Sequence, residues 1–271
     1  MARHFRAFAG QTPTLQAEAA GPKAACLARY RTTVFPRQAA FLCRMCYSTS
    51  LDRDVKALEK RMHKQMLEES RQVDAPDQLV LPLEQTSAFV RPLWPVVSSK
   101  APDRISIQRW GLLPKYVRSE EEAKAFLKKA PTFNAISEEV GAKRTFKHAS
   151  ESGQRCLIPV TGFFEWRHEG RRKIPYRIGV KGGDVFCLGG LWESHQGVDT
   201  YTILTTRANP LMAHIHNSKQ RMPVIVPEAQ WEVWLSPDLS PEAVKQLCAP
   251  FPQEDMEAVL VDPGAAQGSL F

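Results

Sequence analysis

The sequence predicts an α+β fold: one domain with a largely antiparallel, barrel-like β-sheet core and peripheral helices. The stretches RCLIPV, GFFEW, IPYRIGV, DVFCLGGLWE and TYTILTT are short β-rich runs, broken by Gly, Asp and basic turns. No strand–helix alternation and no internal repeat appears, which argues against a parallel α/β sheet. Helical patterns lie before and after this strand-rich block.

Residues 1–44 are Ala-rich, acid-poor and without periodicity. Three readings fit them: a disordered arm, an organelle presequence, or upstream sequence translated from a start codon placed too early. The last is favoured, for a chemical reason given below. DRDVKALEKRMHKQMLEES then spaces Val55, Leu58, Met62 and Met66 at three and four residues, predicting an amphipathic helix with Asp52 as N-cap. Residues 86–98 read as an extended segment broken by Pro92 and Pro95. SEEEAKAFLKKA (119–130) predicts a second helix, with acids early and lysines late as the helix dipole prefers. EGRRKIP predicts a hairpin, and PEAQWEVWL and SPEAVKQLC, each with Pro near its first turn, predict two late helices. The main domain is expected over residues 45–262, with a flexible tail at 263–271.

Composition narrows the class. With 271 residues, 43% hydrophobic and 24% charged, the chain is long enough for a sizeable core and ordinary for a soluble globular protein. No apolar run approaches the ~20 residues of a membrane helix. The net charge of +7 is uneven: residues 1–44 carry seven cations and one acid, +6, which leaves +1 for the rest. The high net charge therefore lends little support to nucleic-acid binding by the folded part, which needs a local basic groove. Six scattered cysteines without a secretory signal point to a reduced, cytosolic setting. Cys156 and Cys187 sit in apolar runs and read as small buried hydrophobes. Cys43-x-x-Cys46 has redox or half-zinc spacing, but no second cysteine pair accompanies it.

Four stretches hold polar residues that strands would not ordinarily want: Cys46, Asn134 in TFNAISEE, Glu165 in TGFFEW, and His214, His216 and Arg221 in LMAHIHNSKQRMPVIV. Strand alternation puts Glu165 on the face of Phe163. A carboxylate there is either paired or shifted toward proton transfer, and the ordinary alternative is a sheet edge reaching solvent. His214-x-His216 on a strand would face one side, as a metal might require, yet no third ligand is evident, and one surface histidine with one hydrogen-bonding histidine is the favoured reading. Asn134 is equally explained by turn chemistry.

Together these stretches resemble the SOS-response-associated peptidase (SRAP) family, which shields abasic sites in single-stranded DNA. The resemblance rests on MCY (45–47), WGLLP (110–114), NAISE (134–138), GFFEW (162–166) and IHNSKQRMP (215–223), in the family's order from Met45 to about residue 236. The spaced IHNSKQRMP and FVRPLWPVV look like a bacterial branch.

The resemblance implies that Met45 is removed and that Cys46 becomes the first residue. Its α-amine would condense with the aldehyde of a ring-opened abasic sugar, and its thiol would close a thiazolidine, a stable protein–DNA crosslink. An amide nitrogen cannot form the imine, so Cys46 must be freed either by translation from Met45 or by removal of the arm, including by the protein's own peptidase activity. The resemblance further implies catalytic roles for Cys46 as nucleophile, Glu165 and His216 as acid–base groups and Asn134 as a positioning residue. It gives DNA-binding roles to Trp110, Arg144 and Arg221, Trp110 shaping a base-stacking surface. It implies lyase-like chemistry without cofactor or metal, in a monomer of the bacterial cytoplasm associated with the nucleoid. The implied partners are single-stranded DNA with abasic sites and replication-fork proteins, with no membrane. Ile136 stands where the family carries arginine, and Tyr47-Ser48 where it often carries Gly-Arg, which implies reduced or redistributed DNA affinity. The rival readings are a thiol peptidase and a non-catalytic single-stranded DNA-binding module.

Overall fold

The computed structural model describes residues 47–71, 81–182 and 184–261. The strands are β1 (Ser48–Leu51), β2 (Gln65–Met66), β3 (Leu83–Ser87), β4 (Leu93–Ser98), β5 (Ala101–Trp110), β6 (Asn134–Ile136), β7 (Arg155–Val160), β8 (Gly162–Glu169), β9 (Arg172–Val180), β10 (Phe186–His195), β11 (Val198–Arg207), β12 (Arg221–Pro223), β13 (Ile225–Val226) and β14 (Met256–Leu260). The helices are α1 (Val55–Met62), α2 (Glu68–Arg71), α3 (Glu120–Lys129), α4 (Arg144–Glu151), α5 (Pro210–Ile215), α6 (Trp231–Leu235) and α7 (Pro241–Leu247).

Five strands close into a barrel. β11 pairs antiparallel with β10 and parallel with β5, and the run β11–β10–β7–β4–β5 returns on itself. Closure removes the exposed edges that such apolar strands would otherwise present. Trp94, Trp110, Leu157, Ile158 and Tyr201 are fully buried in the core. Each deep indole finds an acceptor: Trp94 Nε1 donates to the Pro159 carbonyl, Trp110 to Phe133 and Trp234 to Cys156, at 2.8–2.9 Å. Gly190 is required by close packing, since a Cβ there would lie 2.5 Å from both Ile158 Cδ1 and the Thr202 carbonyl oxygen.

A second, antiparallel sheet runs β14–β9–β8–β1–β3. Only Thr161 separates β7 from β8, so the chain passes directly from the barrel into this sheet. Thr161 also anchors the neighbouring segments: its hydroxyl accepts from the Asp52 N–H at 3.2 Å and its carbonyl from Arg177 at 2.9 Å. The expected β8–β9 hairpin is present, with Gly170 at φ 59° between paired Glu169 and Arg172. The β10–β11 hairpin turns through Gln196 and Gly197, both at positive φ, as the twist of two strands joined by two residues favours.

The α+β, barrel-like reading of the sequence agrees with this architecture. Local details differ. Asp54, not Asp52, caps α1, accepting from the Ala57 N–H at 2.8 Å. The helix stops at His63 in the left-handed region, and Met66 leaves its period to pair with Ile105. Residues 86–98 divide into the end of β3, a 3-10 turn at Ala88–Val90 and β4, which accommodates Pro95. The predicted helix at 119–130 is α3, capped by Ser119. The two late helices shorten to α6 and α7. The arm at 1–44 and the tail at 263–271 lie outside the described residues.

Candidate active site

Glu165 is 2% exposed, and its neighbours Phe163 and Phe164 are buried on the two faces of β8. The sheet-edge alternative is therefore excluded. Glu165 Oε1 has no hydrogen-bond partner among the described residues. Burial pushes the carboxyl up to about 8, partly offset by the Trp166 N–H, which favours the anion. At neutral pH the group is mostly protonated.

His216 meets it from another element. Asn209 caps α5 by accepting from the Met212 N–H at 2.8 Å, Pro210 starts the helix, and Met212 and Ile215 bury its inner side. His216 ends the helix, 4% exposed, with Nδ1 3.0 Å from the Arg221 carbonyl oxygen. A carbonyl only accepts, so Nδ1 carries the proton and Nε2 offers its lone pair. Burial holds the imidazole below its ordinary range and hence neutral, although the Arg221 carbonyl favours the cation. His216 Nδ1 lies 4.0 Å from Glu165 Oε1, beyond hydrogen-bond range. With a neutral imidazole beside a protonated carboxyl, this contact is not an ion pair.

The favoured reading of His214-x-His216, one surface histidine and one with a hydrogen-bonding role, agrees with the structure, although the pair lies at a helix end and not on a strand. His214 belongs to α5 and His216 is its cap, and residues two apart on a helix do not share a face. His214 is exposed, and its carbonyl accepts from Arg167.

Asn134 is buried at the start of β6. β11 lies between β6 and β12, with Thr205 opposite Ile136 on one side and Pro223 on the other. Arg221 on β12 reaches across to Glu138 just beyond β6 in a two-pronged contact of 2.9 and 2.7 Å, and donates to the Thr205 carbonyl at 2.6 Å. This guanidinium thus ties the Asn134 segment to the His216 loop, and it is already engaged rather than open to a phosphate. Arg144 is exposed at the start of α4, 4.4 Å over the Tyr116 ring.

Trp110 must be reassigned. It is 0% exposed, donates to the Phe133 carbonyl and stacks on Tyr201 with centroids 5.9 Å apart. Its faces are covered by protein, so it belongs to the barrel core and offers no surface to a base.

Cys46 lies outside the described residues. Its successor, Tyr47, is packed and hydrogen-bonded. The Tyr47 ring lies 5.0 Å from Phe89 and 6.0 Å from Phe133, and the Tyr47 carbonyl accepts from the Ala88 N–H at 2.7 Å. Ser48 then pairs with Phe164. The residue after Cys46, the residue before Asn134 and the residue before Glu165 are thereby gathered in one region. Sequence reasoning missed this aromatic trio and the Glu138 anchor. Phe133 and Glu138 flank the NAIS motif, which was the available signal.

Residues 45–265 match the family described as SOS response associated peptidase (SRAP). The chain belongs to the SRAP family. It is similar to abasic site processing protein YoaM of Bacillus subtilis (strain 168), 34% identical over 173 residues, 61% of this chain and 72% of YoaM. It is likewise similar to abasic site processing protein YoqW of the same organism, 33% identical over 173 residues, 61% of this chain and 73% of YoqW. A crystal structure of a protein from Bacteroides thetaiotaomicron superimposes with a TM-score of 0.71 at 33% identity, over 82% of this chain and 94% of that one. In this SRAP chain the GFFEW and IHNSKQRMP motifs meet through Glu165 and His216, and NAISE joins them through Glu138 and Arg221.

Proposed function

We propose that this SRAP protein processes abasic sites by linking itself covalently to single-stranded DNA through Cys46 as a free N-terminal residue. One observation carries the reading. A buried, mostly protonated Glu165 with an unpartnered oxygen stands 4.0 Å from a neutral His216, on the strand that pairs with β1. Ser48, two residues after Cys46 in the sequence, pairs with Phe164 beside Glu165. The names of the similar Bacillus proteins support the same lesion as substrate.

The chemistry needs proton transfers in a dry place. The neutral carboxyl of Glu165 donates to the sugar oxygen that departs on ring opening. The resulting carboxylate takes a proton back from the attacking amine. The oxygen leaves as water, carrying the second amine proton and the C1 hydroxyl proton that His216 Nε2 accepted on ring opening, and the Cys46 sulfur adds to the imine carbon while the thiol proton passes to nitrogen. An α-amine with an ordinary pKa of ~7.7–8.0 keeps a usable neutral fraction at cell pH. His216 Nε2 serves as the second proton acceptor, and Asn134 orients the amine and sugar. Removal of residues 1–45 by the same carboxyl is the autopeptidase part of the proposal.

Intact-mass spectrometry of the purified protein, before and after incubation with single-stranded DNA holding one abasic site, tests this. The expected result is a mass beginning at Cys46 that rises by the full oligonucleotide under denaturing conditions. If the protein starting at Met45 also fails to crosslink, a non-catalytic binding module replaces the proposal. A Glu165→Gln protein that still begins at Cys46 would remove the autopeptidase part.

A further inference from the structure

The β8–β9 hairpin extends beyond the site and carries a concentrated positive charge. Residues 167–173, RHEGRRK, hold Arg167, Arg171, Arg172 and Lys173 against Glu169 alone, a net +3, while all of residues 45–271 sum to +1. Glu169 does not neutralise the tip, because Arg167 Nε already holds it at 2.9 Å. Arg171, Arg172 and Lys173 are exposed, as is Lys219 on the loop after His216. His168 and Lys219 both press the His216 imidazole toward its neutral form, so this cationic surface adjoins the site.

The hairpin is also held in a fixed relation to the site. Asn217 bonds both main-chain groups of His168, accepting from its N–H at 3.1 Å and donating to its carbonyl at 2.8 Å. Arg167 donates to the His214 carbonyl at 2.5 Å. Both anchors lie on the segment that bears His216, and the hairpin itself continues the strand that bears Glu165. A solvated surface needs no such anchoring, whereas a charged arm that must aim a polyanion does.

We infer that the β8–β9 hairpin tip, Arg171, Arg172 and Lys173, binds backbone phosphates of the nucleic acid several nucleotides away from the reacting one. The inference rests on the reading of the site as an abasic-site centre, which supplies the nucleic acid. Distance sets the location. Glu165 to Glu169 spans four residues of strand, ~13 Å at ~3.3 Å each. An extended single strand covers more length per nucleotide than the ~3.4 Å of a duplex strand, so the tip reaches no more than about four nucleotides beyond the reacting sugar. Contacts there hold and orient the strand without touching the chemistry.

The test uses undamaged single-stranded oligonucleotides, so it does not depend on crosslinking. The full chain and an Arg171→Gln/Arg172→Gln/Lys173→Gln variant are titrated with long and very short oligonucleotides across a salt series. Loss of three phosphate contacts is expected to make the slope of log K against log salt shallower by about 2, and to weaken low-salt binding about tenfold or more, for the long strand only. An Arg171→Lys/Arg172→Lys variant retains the charge and is expected to match the parent. An unchanged slope for the Gln variant, with its thermal melting intact, overturns the inference, as does an equal fall for both lengths. Crosslinking of a saturating abasic oligonucleotide by the Gln variant reports separately on the site. A shallower slope without any crosslinking by the parent would sink the covalent reading and leave the hairpin assignment standing.

Discussion

Glu165 on β8 and Glu193 on β10 are equally buried carboxylates, at 2% and 3% exposure, and the fold treats them in opposite ways. Glu193 is satisfied. His148 Nδ1 lies 3.0 Å from one oxygen and Gln154 Nε2 donates to the other at 3.4 Å, which ties α4 to the barrel. Glu165 has an orphaned oxygen and is driven toward its protonated form. A buried polar group with partners stabilises a structure, while one without them costs free energy, and a catalytic role is one reason to bear that cost. The contrast separates an internal fastening from a chemical group without reference to any relative.

The largest expected effect breaks the comparison at its functional end. Glu165→Gln keeps shape and burial but removes the transferable proton, so crosslinking should slow by about 10²-fold or more. Single-turnover gel assays with abasic oligonucleotide measure it. Glu193→Gln should crosslink at close to the parent rate, and an equal loss in both variants would end the distinction.

Next in size is a pH dependence. The folded-state pKa of Glu165 lies above its ordinary 4.5, at about 8. The native state therefore binds more protons than the unfolded state between these values. Its contribution to stability is fully present below about pH 4.5 and is lost as pH rises through about 8, on the order of 5 kcal/mol in all. Glu165→Gln lacks this loss, so its melting temperature should gain on the parent's steadily between about pH 5 and about pH 9. Parallel melting curves across that range would contradict the assignment. The crosslinking rate should also fall above about pH 8 as the carboxyl loses its proton.

Glu193→Ala sharpens the structural end. It leaves His148 and Gln154 without their acceptor and should cost about 1–3 kcal/mol, read as a lower denaturant midpoint. The smallest effect concerns Ile136, which is half-buried opposite Thr205 near the engaged Arg221. Ile136→Arg should steepen the salt dependence of single-strand binding by about 0.7, one added phosphate contact. No change would mean that the residue at 136 does not limit affinity.

Much of the fold could be read from local pattern. The β-rich runs became β7 to β11, EGRRKIP became a hairpin, and Ser119 caps α3, because alternation, turn residues and caps act over a few residues. The motif residues Glu165, His216 and Asn134 were also identifiable. Trp110 was misassigned because an indole in a motif looks the same whether its faces meet a base or Tyr201. The separate roles of His214 and His216 were legible, but their setting was not, because a short helix replaced the strand considered for them.

The sequence alone determined the strand-rich class, the motif residues and the chemical limit on Cys46, since an amide-linked nitrogen cannot form an imine in any fold. The tertiary structure decided what no spacing could. Closure of the barrel through the β5–β11 pairing buried Trp110, and the meeting of β8 with α5 set Glu165 beside His216 in a buried place. Burial and proton affinity are properties of surroundings assembled from distant segments, so they appear only once the chain has packed.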